Sequence, residues 1–148
     1  MTMKLFLDTN ILIDKLANRD PFVEDVRKLC IARYFGDVEL LVSAQSYLDA
    51  MYVLRKFAAK EAIKKACIKS LNFFEVSDVP EQAIRQACES DWPDAEDHVI
   101  AITAKLVMAD FLVTRDPGGF RQSPVQPVSP ASCISMLRDE YGIEYAIA

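Results

Sequence analysis

The stretch Lys4-Leu5-Phe6-Leu7-Asp8-Thr9-Asn10 runs an apolar segment straight into an aspartate. A short continuous apolar run of this kind reads as a strand buried on both faces, as in a parallel sheet. The arrangement returns far downstream, where Phe111-Leu112-Val113-Thr114-Arg115 runs into Asp116. Two more acids stand among apolar neighbours. Asp49 interrupts Tyr47-Leu48-Asp49-Ala50-Met51-Tyr52-Val53-Leu54, and Asp97 precedes Val99-Ile100-Ala101-Ile102. An isolated buried carboxylate is destabilising unless it is paired or meets a cation. Four such placements suggest one shared reason to hold negative charge, and a divalent metal site is the simplest.

Working outward from the first run, Met3 to Leu7 reads as a strand, and Thr9 or Asn10 can cap a helix through Leu16. Pro21 is predicted to start a second helix to about Tyr34, closed by Gly36. Val38 to Ser43 reads as a strand, after which Ser43 or Ser46 can cap a helix through about Phe57. A further helix is expected from about Ala59 to Leu71, with Ala62, Ile63, Ala66, Cys67 and Ser70 at helical spacing. Phe73 to Val79 is the third predicted strand, and Pro80 opens a helix to about Glu89. Asp91-Trp92-Pro93 breaks the chain, and Asp94 caps a helix through Met108. Asp110 to Thr114 reads as a strand, Pro117-Gly118-Gly119 as a loop, Val125 to Val128 as a short fifth strand, and Pro130 to Tyr141 as the last helix.

Strands alternating with helices predict an α/β fold, a parallel sheet of about five strands with helices on both faces. The length of 148 residues fits one domain, 1–148, able to bury its own core. In such sheets ligands bind beyond the carboxyl ends of the strands, where the strand order switches. Asp8 and Asp116 both stand at carboxyl ends, so they converge if their strands are neighbours.

Composition narrows the function classes. Hydrophobic residues make up 51% and charged residues 26%, which reads as a folded soluble protein rather than a disordered one. No apolar run approaches the roughly 20 residues that span a bilayer, and no secretory leader is recognisable, so a cytoplasmic protein is expected. The net charge of −5 argues against a general nucleic-acid coat, but clustered acids that bind divalent ions are compatible with a nuclease. Arg55-Lys56, Lys60, Lys64-Lys65 and Lys69 gather around one helical region, either as a solvated face or as a rim that contacts phosphate. Cys30, Cys67, Cys88 and Cys133 are scattered, and His98 is the only histidine, so a zinc cluster is not expected.

An all-aspartate constellation suits Mg²⁺ or Mn²⁺, which prefer oxygen ligands. Such an ion can activate water and polarise a phosphoryl oxygen, so the residue types point towards phosphate chemistry.

Three segments resemble the motifs of PIN-domain nucleases. Leu5-Phe6-Leu7-Asp8-Thr9-Asn10-Ile11-Leu12 is similar to the opening motif, Asp94-Ala95-Glu96-Asp97-His98-Val99-Ile100-Ala101-Ile102-Thr103-Ala104 to the third, and Val113-Thr114-Arg115-Asp116 followed by Phe120 to the fourth. Asp49 stands where the second motif has its acid, one methylene shorter than the usual Glu. The resemblance implies metal-dependent cleavage of RNA, with Asp8, Asp97 and Asp116 holding Mg²⁺ or Mn²⁺ and Asp49 completing the acidic cluster. It extends to VapC-like toxins of type II toxin–antitoxin pairs, which implies an antitoxin partner and a homodimer.

Alternatives stand beside several of these assignments. Asp94 rivals Asp97 as the third ligand but is the better helix cap. Asp116 could simply start a turn, and Asn10 could cap a helix or orient Asp8. Thr114 or Ser43 could hydrogen-bond an aspartate, Trp92 or Tyr47 could stack on a base, and Arg115 or Arg121 could contact phosphate. Two rival functions remain at this point. One is a small phosphohydrolase with Asp8 as nucleophile, and the other is a non-catalytic nucleic-acid or protein binding module.

Overall fold

The computed structural model describes residues 2–144. Its strands are β1 (Met3–Leu7), β2 (Val38–Ser43), β3 (Phe74–Ser77), β4 (Phe111–Val113) and β5 (Pro127–Val128). They form one sheet in the order β3-β2-β1-β4-β5, with every pair parallel. Between them run α1 (Thr9–Ala17), α2 (Val23–Tyr34), α3 (Ala44–Leu54), α4 (Lys60–Ser70), α5 (Glu81–Cys88) and α6 (Ala95–Leu106), and α7 (Pro130–Tyr141) follows β5.

The layering follows from the pattern along β1. Met3, Leu5 and Leu7 share a core with residues of α1, α2, α3, α4 and α7, while Phe6 points into the opposite core with Ile100, Ala101 and Ala104 of α6. Both faces are covered, so the strand has no polar alternation. From β1 to β3 the chain steps one way across the sheet. It then crosses to β4 on the far side of β1, and right-handed crossovers place the helices of that return, α5 and α6, on the other face. The order therefore switches direction between β1 and β4.

Local chemistry sets the boundaries. Asp8 itself caps α1, where Thr9 or Asn10 was expected, because its carboxylate accepts the Thr9 N–H at 2.8 Å. The Ser43 hydroxyl caps α3, which leaves Ser46 free to pair with Thr9 Oγ1 at 2.7 Å and tie α3 to α1. Gly36 takes φ +80° just beyond α2, a conformation that favours glycine.

Some predicted bounds shift. The second helix starts at Val23 instead of Pro21, because the residues just before it form a turn in which the Val23 N–H bonds Arg19 O. The third helix ends at Leu54 instead of about Phe57. The third strand is limited to Phe74–Ser77 and the fifth to Pro127–Val128, because only those residues have partners in the sheet. The expected loop at residues 117–119 is one turn of 3-10 helix, Pro117–Phe120. Phe6 has 0% exposure at the middle of the central strand. Phe6→Ala is expected to destabilise the fold by about 3–5 kcal/mol, measured by urea unfolding monitored by circular dichroism.

Candidate active site

Parallel pairing of β1 with β4 places Leu7 beside Val113, and the Asp8 N–H continues the ladder to Val113 O at 2.9 Å. The next residue of each strand is thereby a neighbour of the other. Thr114, fully buried, donates its hydroxyl to Asp8 Oδ2 at 3.0 Å and accepts the Asp116 N–H at 3.1 Å. One hydroxyl thus orients the first acid and fixes the backbone of the second.

A cleft of about 390 Å³ opens at this switch point. Asp8, Asp49, Glu96, Asp97 and Asp116 line it, together with the apolar Val53 and Phe120. The four aspartates singled out by sequence therefore share one cleft. Their burial differs from the sequence expectation. Asp8 is buried, Asp49 and Asp97 are half-buried, and Asp116 is exposed. The run around Asp49 is also more open than its apolar character suggests, with Leu48 and Tyr52 exposed on the outer side of α3. Asp49 accepts a hydrogen bond from Gln45 Nε2 at 2.9 Å, one helical turn away.

Hydrogen bonding separates Asp94 from Asp97. Asp94 caps α6, its Oδ1 accepting the Asp97 N–H at 3.1 Å. The Asp97 carboxylate accepts no hydrogen bond among the described residues, and it lines the cleft where Asp94 does not. Glu96, which the sequence motif contains but which was not singled out, lines the cleft as well.

The acids act on one another. Burial raises the Asp97 carboxyl from its ordinary 3.8 to about 6, and the negative charges of Asp94, Asp8, Glu96 and Asp116 add to the rise. Burial also raises Asp8. The hydrogen bonds from Thr114 and Thr9 oppose that rise, Asp94 adds to it, and the positive charge of Arg115 lowers it. A cleft with this excess of negative charge and only oxygen donors fits a hard divalent cation. Among the described residues no three histidine, cysteine or acidic side chains are drawn together into a closed ligand set. A cation held here would keep part of its water shell, as Mg²⁺ ordinarily does.

The PIN domain profile matches residues 4–117, from the first residues of β1 to the residue after Asp116. The chain belongs to the PIN domain family. PIN domains are nucleases, which places the chemistry among phosphodiester hydrolases. No curated protein matches the chain. Solved structures with a similar fold include VapBC2 from Rickettsia felis bound to a DNA fragment from their promoter, at 20% identity and TM-score 0.65, covering 86% of this chain and 98% of that one. A toxin–antitoxin complex from Klebsiella pneumoniae is similar at 22% identity and TM-score 0.61, covering 85% and 97%. FitAcB from Neisseria gonorrhoeae is similar at 21% identity and TM-score 0.59, covering 86% and 98%. At these identities the likeness is one of fold.

Other residues weighed from sequence take structural places in this PIN domain. His98 Nδ1 pairs with Ser90 Oγ at 2.7 Å, and its ring packs against Trp92, 4.4 Å between centroids. Trp92 meets Phe120 edge-on, and Tyr47 OH pairs with the buried Ser70 Oγ. Asn10 lines the cleft, and its side chain makes no hydrogen bond among the described residues. Arg115 turns away from the phosphate role considered for it, because its Nε lies 2.9 Å from Asp14 Oδ2. Asp14, with 0% exposure, was not singled out by sequence. Its signal was present in Ile11-Leu12-Ile13-Asp14, an acid within the apolar part of a short helix. Burial drives the Cys30 and Cys133 thiols up to about 11 and about 12, so neither is a ready nucleophile.

Two outcomes follow from this geometry. A Cβ at Gly119 would lie 2.7 Å from Asp116 Oδ2, so Gly119→Ala must displace that carboxylate. The variant is expected to stay folded yet bind Mn²⁺ about tenfold more weakly, read by calorimetric titration. The second concerns pH. The Asp97 carboxyl lies higher in the folded than in the unfolded chain, so the folded state holds that proton more tightly. The stabilisation is complete below the unfolded value of 3.8 and is lost as pH rises through about 6. In chelator at neutral pH, Asp97→Asn is expected to raise Tm by about 2–4 °C, and the gain should vanish near pH 4. An unchanged Tm at neutral pH would contradict the electrostatic account.

Proposed function

We propose that the chain is a divalent-metal-dependent endoribonuclease and the toxin of a type II toxin–antitoxin pair. The observation that carries the reading is the mutual charge of Asp97, Asp8 and Asp116 within one cleft. Asp8, Asp97 and Asp116 would hold Mg²⁺ or Mn²⁺, with Asp49 and Glu96 on the rim adding negative charge. When bound, the ion would supply activated water and charge stabilisation for in-line attack on a phosphodiester.

The chain's own residues do the positioning. Thr114 keeps one Asp8 oxygen turned towards its hydroxyl, and the Thr9 N–H holds the other. The N–H of Gly119 accepts a similar duty for Asp116, donating to Oδ1 at 3.2 Å. Tyr52 lines the cleft, and the Arg55 guanidinium lies 3.8 Å above its ring, a surface suited to an unstacked base and its phosphate. These features support a single-stranded RNA substrate.

The partner assignments rest on similar grounds. A structure similar to this chain is a toxin–antitoxin complex from Klebsiella pneumoniae, which supports a cognate antitoxin. Leu48, Met51 and Phe57 form an exposed apolar surface on and just beyond α3, which supports a homodimer. A cytoplasmic location accords with this role, and no helix among the described residues is long and apolar enough to cross a membrane.

The decisive experiment is cleavage of single-stranded RNA by the purified chain with Mn²⁺ and with chelator. Chelation is expected to abolish cleavage, and restored Mn²⁺ to return it. Asp8→Asn and Asp116→Asn should each lower the rate by about a hundredfold or more while the circular dichroism spectrum is retained. Wild-type rates from either folded variant would overturn the assignment.

A further inference from the structure

Asp14 lies outside the cleft and is buried, with 0% exposure. Its Oδ2 meets Arg115 Nε at 2.9 Å, and its Oδ1 lies 4.0 Å from Arg19 Nη1. Neither carboxylate oxygen nor Arg115 Nε finds a partner in hydrogen-bonding geometry, so charge rather than directed bonding holds this cluster. The Arg115 guanidinium also lies 3.9 Å over the ring of Phe22. Arg115 is thus gripped from two sides, by an acid of α1 and by an aromatic ring from the turn before α2.

The position of that arginine in the chain gives the grip a consequence. Arg115 follows Thr114. Of the cleft acids, Asp116 is its neighbour in the chain and Asp8 already feels its charge. A guanidinium pairs well with carboxylates and would neutralise the same groups that a divalent ion needs. A largely buried ion pair also brings little net stability compared with apolar residues of like volume, so stability alone is a weak reason for placing one here.

We propose that Asp14 is a positioning residue that sequesters Arg115 from the cleft and so keeps Asp8 and Asp116 available to a divalent cation. The inference rests on the metal-dependent reading of the cleft. It assigns Arg115 two states: stacked on Phe22 against Asp14, or swung over to the cleft acids as an internal competitor of the ion.

The test is calorimetric titration of Mn²⁺ alone into the full chain, without RNA, for wild type, Asp14→Asn, the double variant Asp14→Asn with Arg115→Met, and Phe22→Ala. Circular dichroism reports whether each is folded. Asp14→Asn is expected to bind Mn²⁺ about tenfold more weakly, a size usual for coupling between sites. The double variant should return to within about threefold of wild type, because the released cation is gone. A further single variant, Arg115→Met, separates this from a purely structural pair: with the competitor gone it should bind Mn²⁺ within about threefold of wild type although Asp14 is left unpaired, whereas weakened binding in folded Arg115→Met overturns the inference. Phe22 is 42% exposed, so Phe22→Ala is expected to fold, and it should weaken Mn²⁺ binding in the same direction. It carries the test if Asp14→Asn does not fold. Wild-type affinity in folded Asp14→Asn, or no recovery in the double variant, overturns the inference while leaving the metal site standing. Wild-type affinity in Phe22→Ala does the same where Asp14→Asn does not fold. Absence of Mn²⁺ binding in wild type overturns the metal reading and the inference together.

Discussion

The parallel pairing of β1 with β4 is the constraint on which the candidate site depends. Its register, Leu7 against Val113, puts Asp8 and Thr114 at the same level of the sheet. The strand order makes this pairing possible only at the switch point, where the chain returns from β3 to the other side of β1. A shift of one residue would turn Leu5 and Leu7 away from their core and Phe6 away from α6. The same packing that holds the fold together therefore fixes the acid at the strand end. The site is built from the ends of rigid strands and the first turns of helices, and loops contribute little beyond the turn carrying Asp116.

The electrostatic balance within the site is unfavourable by itself. Hydrogen bonds to a charged group contribute about 1.5–3 kcal/mol each, and Asp8 accepts two of them. Its carboxyl is nevertheless raised, so burial outweighs them. Asp97 lacks even that support. The protein thus holds its acids in an arrangement that it does not itself neutralise. Perturbed carboxyl groups gathered in one cleft are common at functional sites.

Much of this was legible in the sequence because it rests on local periodicity. Leu5-Phe6-Leu7 reads as a strand with both faces covered, and Asp94 and Ser43 cap helices as their positions suggest. The PIN motifs bring in the order of the acids along the chain. What sequence could not display was pairing across distance. The bond between Thr114 and Asp8 joins residues 106 positions apart. Arg115 looked like a phosphate contact because it adjoins Asp116, but its partner Asp14 is set by tertiary packing. The exposure of Asp49 was misread for a related reason. An apolar helix segment whose outer residues have no partner within the chain has the same letters as a buried one.

The edges of the sheet set limits on how copies of this chain can meet. At one edge β5 is only Pro127–Val128, and proline has no N–H to offer a further strand. At the other edge β3 has four residues and carries the exposed Glu75. Short, charged or proline-bearing edges resist strand addition. Growth of the sheet from one molecule into the next is therefore blocked at both ends, and fibre-like stacking is disfavoured from the start. Association through helix faces, by contrast, closes on a finite partner instead of extending without limit.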